Sequence, residues 1–153
     1  MLSCQHLKLL SIKIIDKKER VIKRNIVLLV DDERTILSVL DHQITSHFKD
    51  HVLLEFASSG QEALELYKEY WDSGAPIGLV ITDQIMYGMN GDELIKKLKE
   101  INPDVQTVLL TGYADIKAID GIINRDGLRF IDKPWEKSQI TQIISDTFNK
   151  DHL

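Results

Sequence analysis

The sequence is poor in the residues that most sharply constrain or break a fold. It holds one cysteine, Cys4, three prolines and eight glycines in 153 residues. A single cysteine excludes an internal disulfide framework and a cysteine-rich zinc site, and it fits a reducing compartment. So few prolines and glycines do not describe a disordered or fibrous chain. No apolar run approaches the length needed to cross a bilayer. The first residues include Leu7, Leu9, Leu10, Ile12, Ile14 and Ile15. Lys8 and Lys13 interrupt them and no small-residue cleavage pattern follows, which excludes a signal peptide.

What is present suits one domain with a substantial core: 153 residues, 43% of them hydrophobic. The net charge of −5 is unevenly spread. Residues 1–24 carry seven Lys/Arg against two Asp/Glu, leaving 12 against 22 for the rest. An acidic body argues against general nucleic-acid binding. The basic start, including Lys17-Lys18-Glu19-Arg20 and Lys23-Arg24, reads as a solvated extension or as a contact for an anionic partner. A helix, a strand and a loose arm all stay open for it.

From Asn25 the pattern becomes regular. Ile26-Val-Leu-Leu-Val30 reads as a buried strand ending in Asp31-Asp32-Glu33. Ile36, Leu37, Leu40, Ile44 and Phe48 follow at helical spacing. Val52–Phe56 is the second strand. Ser59 and Glu62 form a capping box opening a helix with Ala63, Leu64, Leu66, Tyr67 and Tyr70 on its apolar side. Asp72-Ser-Gly-Ala-Pro76 is a turn. Residues 77–82 are a third strand, ending at Asp83. A helix from about Gly91 turns Leu94, Ile95 and Leu98 inward and stops at Asn102-Pro103. Val108–Thr111 is the fourth strand. Ile116, Ile119, Ile122 and Ile123 mark the fourth helix, ended by Gly127. Leu128–Ile131 is the fifth strand, and Ile140, Ile143, Ile144 and Phe148 mark the fifth helix. Five alternations predict an α/β fold: a doubly wound, five-stranded parallel sheet of order 2-1-3-4-5 with helices on both faces.

The chemistry stands at the carboxyl ends of these strands, where such sheets bind ligands. The first ends in Asp31 and Asp32, the third in Asp83, the fourth in Thr111 and the fifth in Lys133. Strand order puts the first beside the third, so Asp31, Asp32 and Asp83 should converge. Three acids in one crevice repel unless a cation neutralises them. Oxygen-only ligands suit Mg2+, and no histidine or cysteine stands there for zinc. Lys133 offers a point charge and Thr111 a hydroxyl for phosphoryl oxygens. Asp83 then reads as a nucleophile that accepts a phosphoryl group. Taken singly, each piece has a plainer explanation. An acidic cluster can be a helix cap, Thr is a β-former, and Lys before Pro is commonly a surface residue. Their conjunction at successive strand ends favours the phosphoryl site.

The chain resembles the receiver domains of bacterial two-component response regulators. The resemblance lies in Leu28-Leu-Val-Asp-Asp-Glu33, Asp83-Gln-Ile-Met86 with Met89-Asn-Gly91, Leu109-Leu-Thr-Gly112 and Lys133-Pro134, and covers about residues 25–149. It implies a receiver over residues 25–150 preceded by a basic extension, residues 1–24. By resemblance, Asp83 takes its phosphoryl group from a sensor histidine kinase or phosphotransfer protein. Asp31, Asp32, Asp83 and the backbone carbonyl of Ile85 hold Mg2+. Thr111 and Lys133 bind phosphoryl oxygens, and Thr111 and Phe130 are the switch residues. The face of the fourth helix, fifth strand and fifth helix changes shape and is a possible homodimer surface. The Lys133-Pro134 bond is often cis in such domains.

Such a chain is cytoplasmic, neither a membrane protein nor a direct nucleic-acid binder, and not an enzyme beyond its own phosphorylation and dephosphorylation. With no second domain of any size, its output is expected through an unknown downstream protein, or else the chain is the receiver part of a longer one. Tyr87 stands where the family usually has proline, which should loosen the loop after Asp83. Ile85 and Tyr113, both bulky, should slow hydrolysis of the acyl phosphate. Trp135 reads as a partly buried anchor for the last helix. A phosphatase with an aspartate nucleophile would carry a second Asp where Ile85 stands. A flavodoxin-like cofactor module would need a Ser/Thr/Gly-rich loop where Asp31-Asp32-Glu33 stands. The remaining alternative is a degenerate receiver, a phosphorylation-independent interaction module.

Overall fold

The computed structural model describes residues 25–112 and 128–149. Strands β1 (Asn25–Val30), β2 (Val52–Ala57), β3 (Leu79–Asp83), β4 (Gln106–Thr111) and β5 (Arg129–Asp132) form one sheet of order β2-β1-β3-β4-β5. Every pairing is parallel, so the expected architecture holds. Helices α1 (Arg34–Phe48), α2 (Gly60–Ser73) and α3 (Gly91–Ile101) connect the strands, and a last helix spans Lys137–Asn149. A 3-10 turn, Lys49–His51, leads into β2. The basic extension, the helix expected around Ile116–Ile123, its stop at Gly127 and Tyr113 lie outside the described residues.

The apolar runs form strands because both faces of the sheet are covered. Along β1, Ile26, Leu28 and Val30 pack toward α2 and α3 with Leu64, Tyr67, Leu94 and Leu98. Val27 and Leu29 pack on the other face with Leu40, Ile44, Ile140 and Ile144 of α1 and the last helix. All five β3 residues are buried.

Helix ends follow local chemistry. Ser59 caps α2 by accepting from the Glu62 N–H at 3.1 Å. The Glu62 carboxylate does not close the expected box onto Ser59. It accepts instead from the N–H and hydroxyl of Ser58, one residue earlier. Gly74, in the left-handed region at φ 78°, ends α2. Asn102 ends α3, and its amide donates to the Tyr67 hydroxyl at 3.1 Å, tying α3 to α2.

Strand boundaries differ from expectation by one or two residues. β3 starts at Leu79 rather than 77, although Gly78 already donates to the Ile26 carbonyl at 2.9 Å. Phe148 of the last helix lies over Gly78, so close that a β-carbon there would sit 2.5 Å from its ring. β4 starts two residues early, at Gln106, and β5 is shifted by one.

Candidate phosphoryl and metal site

Register builds the site. Val30 lies opposite Thr82, so the residues that follow, Asp31 and Asp83, leave the sheet side by side. Asp83 pairs with Leu110, and Thr111 with Asp132 on β5. One carboxylate oxygen each from Asp31, Asp32 and Asp83 fall within 4.8 Å of one another. The three acids named from the sequence therefore do converge.

Each carboxylate has a different holder. Asp31 is buried; its Oδ1 accepts from the Glu33 N–H at 2.8 Å, and its Oδ2 is buried without a partner among the described residues. Asp32 is exposed, and its Oδ2 accepts from the Tyr87 N–H at 3.1 Å. Asp83 is buried and forms an ion pair with the Lys133 ammonium. Lys133 is aimed by its own backbone, whose N–H donates to the Thr111 carbonyl at 2.8 Å. The Lys133-Pro134 bond is cis.

The electrostatics are strained by burial. Burial pushes the Asp31 carboxyl up to about 6, reinforced by Asp83 and Asp32 and opposed by the Glu33 N–H and Lys133. Burial also raises Asp83, against the pull of Lys133. Among the described residues, one ammonium facing three carboxylates leaves negative charge uncompensated. A buried carboxylate oxygen with no donor, among oxygen-only groups, is the environment a small hard cation fits.

The loop after Asp83 is stitched down by residues that the sequence motifs include but whose holding role sequence reasoning did not read. The Gln84 side chain accepts from the Asp92 N–H and donates to the Asp92 carboxylate, both at 3.0 Å, capping α3 from eight residues away. The Asn90 side chain accepts from the Met86 N–H at 3.3 Å. Gly91 is required by close approach, since a β-carbon there would lie 2.2 Å from the Asp83 carbonyl oxygen. Tyr87, expected to loosen this loop, tethers it to Asp32 through its N–H, and its side chain is 94% exposed. A polar residue directly behind a buried strand was the available signal for Gln84.

Other expected residues are placed as follows. The Thr111 hydroxyl donates to the Gly112 carbonyl at 3.1 Å. Phe130 is 41% exposed and Ile85 55% exposed. Trp135 is partly buried against the core cluster of β1, β3 and α1, and its indole donates to Gln43 on α1 at 2.9 Å. That is the anchor expected of it.

Comparison with known proteins agrees with this geometry. The family model described as response regulator receiver domain matches residues 27–145. The chemotaxis protein CheY of Halobacterium salinarum is 28% identical over 120 residues, covering 78% of this chain and 93% of that protein. The hydrogenase transcriptional regulatory protein HoxA of Cupriavidus necator is 28% identical over 123 residues, 80% of this chain but 24% of that protein. The chain thus spans about a quarter of that longer regulator. A crystal structure of a response regulator receiver domain protein from Clostridium thermocellum superposes with a TM-score of 0.72 at 26% identity, covering 84% of this chain and 97% of that one.

Proposed function

The chain belongs to the response regulator receiver domain family, and on that premise we propose that it takes a phosphoryl group onto Asp83 and signals by a change of shape. The observation that carries this is the convergence of Asp31, Asp32 and Asp83 around a buried, unpartnered Asp31 oxygen, with Lys133 on Asp83.

The donor is a phosphohistidine of a sensor kinase or phosphotransfer protein. An Asp83 carboxylate oxygen attacks phosphorus and forms the acyl phosphate as the phosphorus–nitrogen bond to imidazole breaks. The imidazole nitrogen departs carrying the bond's electron pair. Asp31, Asp32, Asp83 and the Ile85 carbonyl would hold Mg2+, which when bound supplies neutralisation of phosphoryl charge. Lys133 already reaches Asp83 and needs only to follow the charge onto a phosphoryl oxygen. The Thr111 hydroxyl must exchange the Gly112 carbonyl for a phosphoryl oxygen. That movement, with Phe130 turning inward, is the two-state element the added charge would bias.

The receiver unit is residues 25–150, with residues 1–24 as a separate basic extension. The output is a downstream protein, without direct nucleic-acid or membrane contact. A homodimer would use the face of β5, the last helix and the helix expected over 116–123. The protein acts in the cytoplasm, which its single Cys4 suits, and turns over no substrate besides its own phosphate. Against a degenerate receiver stand the three converging carboxylates and the Lys133 ammonium on Asp83, which support the phosphoacceptor reading.

The test is intact mass after incubation with a small-molecule phosphodonor, with and without Mg2+. Wild type should gain one phosphoryl group only with Mg2+, and Asp83→Asn should fold and gain none. Folded wild type that gains nothing, or a modified Asp83→Asn, overturns the assignment.

A further inference from the structure

The three acids are not equally fixed. Asp31 is buried and held by the Glu33 N–H, and Asp83 is buried and held by Lys133. Asp32 is exposed, at the start of a loop, where an aspartate normally samples several rotamers. Its donor is the Tyr87 N–H, 55 residues away in sequence. That donor sits on a stiff support. Gln84 and Asp92 lock one end of the loop, Asn90 holds the Met86 N–H next to it, and Gly88 turns the chain at φ 82°. The Tyr87 phenol, 94% exposed, adds no packing that could do the same work.

We propose that the Tyr87 backbone N–H is a positioning group for the divalent cation. It holds Asp32 facing Asp31 and Asp83, so that the cation need not order this carboxylate itself. A carboxylate has about four lone-pair sites, so one N–H bond leaves ample capacity for a metal. Pre-ordering the exposed ligand raises affinity by removing an entropy cost from binding. The role belongs to the main chain: any residue with an N–H can fill it, and proline cannot. The inference rests on the receiver reading of the site and adds to it a residue that no side-chain motif marks.

The test compares wild type, Tyr87→Ala and Tyr87→Pro by NMR, following Mg2+ titration and, in metal-free protein, hydrogen exchange of the residue 87 amide. Thermal melts check that each variant is folded. Tyr87→Pro should bind Mg2+ roughly three- to tenfold more weakly, the order of one net hydrogen bond. Tyr87→Ala, which keeps the donor, should stay within about twofold of wild type, the usual scale of a neutral surface change. The Tyr87 amide should be protected in metal-free wild type and lose protection in Asp32→Ala. Equal Mg2+ affinity in wild type and Tyr87→Pro, or equal weakening in Tyr87→Ala and Tyr87→Pro, overturns the inference. So does an unprotected amide, which also decides the matter if the proline variant fails to fold. Wild type that binds no Mg2+ overturns the receiver reading instead, a result separate from the exchange measurement.

Discussion

Replacing Asp31 by asparagine should stabilise the metal-free protein. Asp31 is buried, has one oxygen without a partner among the described residues, and faces two further carboxylates. Its carboxyl is raised from 3.8 to about 6. A carboxyl raised in the folded state contributes stability that is fully present below its unfolded value and is lost as pH rises through its folded value. Here that window runs from 3.8 up to about 6. At neutral pH the charged form is buried at a cost, and about two pH units of displacement correspond to about 3 kcal/mol. Asparagine removes the charge and keeps an acceptor for the Glu33 N–H. Its amide can donate to the neighbouring carboxylates, though less than perfect fit will return part of the gain.

The expected net gain is about 1–3 kcal/mol near neutral pH, raising Tm by roughly 2–12 °C for a domain of this size. At about pH 5 the gain should fall to roughly half, because wild-type Asp31 is then largely protonated in the folded state. Urea unfolding in EDTA at both pH values is the assay. Adding Mg2+ should narrow the difference, since wild type gains a stabilising ligand that the variant binds poorly. An asparagine variant no more stable than wild type at neutral pH, or a gain that ignores pH, would refute the reasoning.

Gly91→Ala should destabilise by about 1–3 kcal/mol and slow phosphoryl uptake, because its β-carbon would collide with the Asp83 carbonyl and Leu109; urea melts and phosphorylation kinetics read the two effects. Leu94→Ala, fully buried between α3 and the sheet, should cost about 2–5 kcal/mol in the same melts while leaving the site's charges in place. Ile85→Asn, opening the rim beside Asp83, should shorten the half-life of the phosphorylated protein, and combination with Tyr113→Glu should shorten it further. Unchanged decay, followed by intact mass, removes the idea that bulk at these positions excludes water.

Much of the fold was legible because its signals are local. A run such as Ile26–Val30 can only be buried on both faces, and Ala63, Leu64, Tyr67 and Tyr70 repeat at helical spacing. The acid cluster was legible for the same reason: Asp31, Asp32 and Asp83 stand at the ends of such runs, strand order brings them together, and Lys133, behind the fifth strand, reaches Asp83. Boundaries were less legible. Gln106 and Thr107 extend β4 although neither is a strong apolar residue, and Gly78 is placed by Phe148 from the far end of the chain.

The sequence by itself determined the layering of the sheet, the convergence of Asp31, Asp32 and Asp83, and the family. These depend on residue type and on spacing along the chain. Only the tertiary structure decided how the groups are held: Lys133 resting on Asp83, Gln84 capping α3 through Asp92, one Asp31 oxygen left without a donor, and the Tyr87 N–H on Asp32. Those contacts join segments up to 55 residues apart, and several use backbone groups that every residue but proline possesses. No residue letter encodes those backbone groups, so the tether on Asp32 comes from an N–H that a proline at residue 87 would have lacked.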